Sequence, residues 1–168
     1  MRKEQLLNTE LLKIVSQAIS QMLETDGELV KRRVKEESLN HRLAVYIENF
    51  VKRSCAYSYL SVDIEYNKNY SQEKAIEGPD GDKQFIRPDI LVHERNTNFN
   101  NKIAIECKLD YMNNHTKRKL TELKKKPYSY EHCIGIVYKP EMSYLFVYIA
   151  TEVEVTKHVI SKSDFMKT

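Results

Sequence analysis

The chain has 168 residues, of which 41% are hydrophobic and 30% charged, with four Gly, four Pro and a formal net charge of +3. That length and composition suit one domain with a sizeable core and exclude a disordered, collagen-like or low-complexity chain. A charge of +3 permits a nucleic-acid partner without demanding one, so its distribution matters more than its sum.

The longest clean apolar run, residues 145–150, is far shorter than the roughly 20 residues of a membrane span. Met1-Arg2-Lys3 is followed by Glu4, Asn8 and Glu10 rather than by an apolar segment, so no secretory signal is expected. Cys55, Cys107 and Cys133 are an odd number without CxxC spacing. They make neither a complete disulfide set nor a Cys-rich zinc site, which predicts reduced thiols in a cytoplasmic protein.

Leu7, Leu11, Ile14, Val15, Ala18, Ile19, Met22 and Leu23 recur at three- and four-residue steps and predict a helix over residues 3–24, within an N-terminal helical extension over residues 1–30. Asp26-Gly27 punctuates it, and the basic cluster at residues 31–35 reads as solvated surface. A second helix is predicted over residues 36–52, burying Leu39, Leu43, Tyr46, Ile47 and Phe50. The pattern then turns to strands. The first covers residues 57–66, and a polar stretch over residues 67–83 carries the turn Gly78-Pro79-Asp80-Gly81. Strands over residues 85–94 and 102–109 are joined through the polar connection 95–101, short enough to favour antiparallel pairing. A basic helix over residues 116–126 ends at Pro127, a fourth strand covers residues 133–138, and residues 143–160 read as a hairpin. The expectation is a single α/β domain over residues 1–168 with a mixed sheet flanked by helices.

Chemistry concentrates in Arg87-Pro88-Asp89-Ile90-Leu91-Val92 and Ile103-Ala104-Ile105-Glu106-Cys107-Lys108. Strand alternation points Glu106 and Lys108 to one face and Ile103, Ile105 and Cys107 to the other. Antiparallel pairing places Asp89 across from Glu106. Two carboxylates about 4 Å apart repel by roughly 4 kcal/mol at an effective dielectric near 20, so one protonates or a cation binds. Oxygen donors select a hard cation, Mg²⁺ or Mn²⁺. A hydrated cation beside a lysine suits phosphodiester chemistry. Glu122-Leu123-Lys124 repeats the E-x-K spacing, but in a helix residues two apart face different ways. Pro79-Asp80 repeats P-D, but in a turn. Pro88 cannot donate to a ladder and belongs near a strand start.

With these residues the chain resembles the PD-(D/E)xK nuclease superfamily, of restriction-endonuclease-like fold, over about residues 36–138. A helix carrying a glutamate, three strands, a helix and a fourth strand follow the same order. The resemblance implies a metal-dependent DNA nuclease in which Asp89, Glu106 and the backbone carbonyl of Cys107 hold Mg²⁺ and Lys108 stands near the attacking water. It also implies a glutamate from the first core helix: Glu37, with Glu48 as competitor. Asp63-Ile64-Glu65 is similar to a local feature of some small members, and Glu65 is carried as a further candidate.

Each residue also has a plainer reading. Glu37 suits a helix N-terminus by the dipole, and His41 lies one turn from it. His93 shares the Asp89 face without a clustered partner and is assigned no metal. The Cys107 side chain reads as packing. Lys117, Arg118, Lys119, Lys124, Lys125 and Lys126 are opposed only by Glu122. With Arg87, the residues Lys117, Arg118, Lys119 and Lys124 are candidates for sequence-independent phosphate contact. The eleven tyrosines read mostly as strand residues. The N-terminal helix is suited either to packing in cis or to a homodimer face. The alternative to a nuclease is a non-catalytic protein on the same scaffold that binds nucleic acid or a protein partner.

Overall fold

The computed structural model describes residues 9–141 and 144–161. Residues 3–8 of the predicted first helix, and Ser143 at the start of the predicted hairpin, lie outside them. Helix α1 (Glu10–Thr25) is started by Thr9, whose side chain accepts from the Leu12 N–H at 3.2 Å. Its apolar stripe is buried within the chain, so α1 packs in cis. A short helix α2 (Gly27–Lys31) follows where only a turn was expected. Helix α3 (Glu36–Arg53) buries Leu39, Leu43, Tyr46, Ile47 and Val51, and Phe50 is half-buried at its margin.

The strands are β1 (Ser61–Ile64), β2 (Lys68–Asn69), β3 (Gln72–Glu73), β4 (Ala75–Glu77), β5 (Lys83–Phe85), β6 (Ile90–His93), β7 (Asn101–Lys108), β8 (His132–Val137), β9 (Tyr144–Ala150) and β10 (Val155–Ser161). Helix α4 (Asn114–Lys124) connects β7 to β8. Six strands form one sheet in the order β1-β6-β7-β8-β9-β10. Only β7 and β8 run parallel, because α4 supplies the crossover that parallel pairing requires. The sheet is therefore mixed, and helices cover both faces. Ile90, Val92, Ile103, Ile105, Cys107, Ile134 and Ile136 pack toward α1 and α3, whereas Leu91, Ala104 and Cys133 pack with Leu120 and Leu123 of α4. Among the described residues, no helix is long and apolar enough to cross a membrane.

Three expectations are corrected. The strand over residues 85–94 is broken: Lys83–Phe85 pairs with β4, and the sheet strand starts only at Ile90. Pro88 lies in the break, where it has no N–H to give to a ladder. The strand over residues 57–66 contracts to Ser61–Ile64, and Glu65 follows in a left-handed conformation (φ 55°) that ends extended pairing. The polar stretch after it holds two small hairpins, β2–β3 and β4–β5, the second closed by Gly81 at φ 77°.

Gly135 of β8 stands beside Glu106 in register. A Cβ there would lie 2.6 Å from the Met112 Cε, 3.1 Å from the Tyr148 Cβ and 3.2 Å from Leu120 Cδ1. Met112 can swing away, but the Tyr148 Cβ is tied to its backbone. Gly135→Ala is therefore expected to cost about 1–3 kcal/mol by overpacking. A urea midpoint unchanged from wild type would contradict that.

Candidate active site

The β6–β7 backbone ladder ends at Ile90↔Ile105. Continuing that register by one residue sets Asp89 opposite Glu106, on the α4 face of the sheet. Where the backbone pairing stops, the Asp89 side chain takes over: its Oδ2 accepts from the Cys107 N–H at 2.7 Å. Glu106 is 1% exposed. Its Oε2 lies 2.6 Å from Lys119 Nζ of α4, and its Oε1 is buried with no hydrogen-bond partner. Lys119 also donates to the carbonyl of Arg87 at 3.2 Å, linking the helix to the strand entry.

Lys108 leaves the end of β7 on the same face. Its ammonium lies 4.0 Å from Asp89 Oδ2 and donates to Glu36 Oε1 at 2.6 Å. Glu36 Oε2 also accepts from the Leu109 N–H at 3.2 Å, so this one carboxylate holds both the lysine and the strand end. The acid that α3 delivers to the centre is thus Glu36, not Glu37. Glu37 is exposed, as is Glu48 about three turns further along the helix. Adjacent helix positions are about 100° apart, so a one-residue difference decides which acid meets the sheet.

The electrostatics follow from burial. Asp89 is raised above the ordinary carboxyl range by desolvation, against the opposing pull of the Cys107 N–H, Lys108 and Lys119, with Glu65 adding to the rise. Desolvation pushes Glu106 up to about 8, although Lys119 opposes it. Burial works against the Lys108 charge, but Glu36 and Asp89 outweigh it and the ammonium is held more firmly than usual. Lys108 is therefore a fixed positive charge and proton donor, not a base, at neutral pH. The Cys107 thiol faces the opposite side and touches Tyr138 Oη at 3.5 Å. Burial pushes its pKa well above the normal thiol value, which suits packing and not nucleophilic attack.

Glu65 comes near through its N–H, which donates to the Asp89 carbonyl at 3.1 Å, while its carboxylate pairs with Arg87. Asp63 is drawn elsewhere: its Oδ2 lies 3.0 Å from His93 Nε2 and accepts from Arg95 Nε at 2.8 Å. The remaining basic candidates each have a partner inside the chain. Arg118 donates to Gln84 Oε1 at 2.6 Å, Lys124 donates to the Glu131 carbonyl at 2.8 Å, and Lys117 lies over the Tyr148 ring.

Lys119, a candidate phosphate contact by sequence, lies in the centre itself, its ammonium on the buried Glu106. A signal existed. Thr116, Leu120 and Leu123 are the buried residues of α4, and position 119 lies one turn from both 116 and 123, on the edge of that stripe. Among the described residues, no group of three or more His, Cys, Asp or Glu side chains is gathered closely enough to hold a metal ion. The donors that do meet are two carboxylates, one with an orphaned buried oxygen. As hard anionic oxygens they fit Mg²⁺ or Mn²⁺ and not a soft metal. No family model, no curated protein and no solved structure matches the chain.

Proposed function

We propose that the protein is a metal-dependent nuclease of restriction-endonuclease-like architecture that hydrolyses DNA phosphodiester bonds. The observation that carries this reading is the clustering of two acids and two lysines where the β6–β7 ladder stops: Lys108 stands 4.0 Å from Asp89, Lys119 stands 2.6 Å from Glu106 Oε2, and Glu106 Oε1 is buried without a partner. Ionising a buried carboxyl whose second oxygen has no donor is costly, which is why Glu106 is pushed up to about 8, and a bound cation removes the cost. With the two small hairpins β2–β3 and β4–β5 set aside, the order α3-β1-β6-β7-α4-β8, with a glutamate opening α3, supports the same reading.

Asp89, Glu106 and the Cys107 carbonyl would hold Mg²⁺ or Mn²⁺, which when bound polarises a phosphoryl oxygen and acidifies a water. The rest of the work belongs to the chain. Lys108 orients the attacking water and steadies charge developing on the phosphate. Glu36 keeps Lys108 aimed and protonated. The Cys107 N–H fixes the Asp89 carboxylate in one orientation. Arg87, exposed and held by Glu65, is the flanking phosphate contact.

The test is cleavage of duplex, branched and single-stranded DNA, with RNA as comparison, at millimolar Mg²⁺ or Mn²⁺. Asp89→Asn keeps an oxygen for the Cys107 N–H while removing the charge, so it should fold. It is expected to lose at least a hundredfold in rate, as is wild type in EDTA. Equal cleavage by all three would remove the proposal. The second reading, a non-catalytic binding protein, is favoured by the lack of a three-ligand group among the described residues. Binding of DNA with no cleavage under any metal would select it.

A further inference from the structure

Lys119 is committed to the centre by two contacts of its own. Thr116, Leu120 and Leu123 anchor α4 to the sheet, while Lys119 extends beside them to Glu106 Oε2 at 2.6 Å and to the Arg87 carbonyl at 3.2 Å. Its side chain is 13% exposed, and that of Glu106 is 2% exposed. One oxygen of the buried carboxylate therefore carries an ammonium, and the other carries nothing.

Resting on the nuclease reading, we propose that Lys119 is the resident counter-ion of the centre: its ammonium occupies Glu106 when no divalent cation is bound and moves from Glu106 to the substrate phosphate when one is. A single carboxylate cannot hold an ammonium on one oxygen and a dication on the other without strong repulsion between the two cations. The lysine has somewhere to go. Its second contact is the carbonyl of Arg87, a residue whose own side chain is exposed at the rim and is the proposed flanking phosphate contact. The exchange keeps the Glu106 carboxyl partnered before binding and delivers a positive charge to the substrate afterwards. Lys119 is thus a positioning residue for Glu106 first and a phosphate contact second.

Calorimetric titration of metal-stripped protein with Mn²⁺ tests the exchange, in wild type, Lys119→Met and Lys119→Arg. Removing the competing charge should make Lys119→Met bind Mn²⁺ about tenfold more tightly, while its DNA cleavage falls about tenfold or more. Lys119→Arg should bind Mn²⁺ as wild type does. A merely structural lysine would weaken binding and cleavage together. Should Lys119→Met not fold, Lys119→Gln, neutral and hydrogen-bonding, carries the same expectation. Wild type that binds Mn²⁺ while the neutral variants bind no tighter overturns the exchange alone. Wild type that neither binds Mn²⁺ nor cleaves DNA overturns the nuclease reading, and the exchange with it.

Discussion

Replacing Glu106 with Gln is expected to stabilise the metal-free protein in alkaline solution and, on the nuclease reading, to abolish cleavage. The carboxyl is fully buried, and desolvation carries it from 4.5 to about 8 in the fold. Its folded value lies above its unfolded one, so the stability linked to it is complete below about pH 4.5. It is then lost as the pH rises toward 8, because the unfolded chain releases this proton first. Gln has the same shape and no proton to lose. Between pH 5 and pH 9 the stability of Glu106→Gln relative to wild type should therefore change by about 4 kcal/mol in favour of the variant. In a chain of this length that is on the order of 10 °C in melting temperature. Comparing the two pH values cancels any constant cost of leaving Lys119 unpaired. Melting curves in EDTA at both pH values decide the matter: a constant difference would mean that Glu106 ionises normally and the centre is not desolvated. On the nuclease reading, this uncompensated group is kept because the reaction needs it.

Lys108→Met should lower single-turnover DNA cleavage by about a thousandfold with little change in Mn²⁺ affinity. Lys108 is not placed as a ligand; its ammonium stands 4.0 Å from Asp89 and is held by Glu36. On the nuclease reading its loss would remove charge from the reaction and leave the cation's ligands in place. Glu36→Gln leaves the ammonium but loosens it, and an intermediate loss of roughly tenfold to a hundredfold is expected, since misplacement of a catalytic group costs on that scale. Glu37→Gln, exposed on the same helix, should cleave like wild type. Reversal of the two glutamates would show that the first turn of α3 is rotated from the arrangement described, and Lys108→Met at wild-type rate would show that the lysine takes no part.

Much of this was legible before any coordinates, for reasons that differ by residue. Asp89, Glu106 and Lys108 could be placed on one face because strand alternation has a period of two and a short connection imposes antiparallel pairing. The apolar runs around them reported burial directly. Glu36 could not be distinguished from Glu37, because both suit a helix N-terminus and only the docking of α3 on the sheet selects one. The break in the strand over residues 85–94 was signalled by Pro88, but the new partner of Lys83–Phe85 was not, since β4 lies in a stretch with no apolar alternation.

The sequence by itself determined the local periodicities: where helices and strands run, which side of each strand is apolar, and which two acids and lysine share a face. Those are properties of neighbouring residues and need no partner. Tertiary structure alone decided the charge balance of the centre. Whether a buried carboxylate meets a cation depends on how a distant helix is rotated against the sheet, and in α4 that rotation comes from the packing of Leu120 and Leu123, which carries Lys119 down to Glu106.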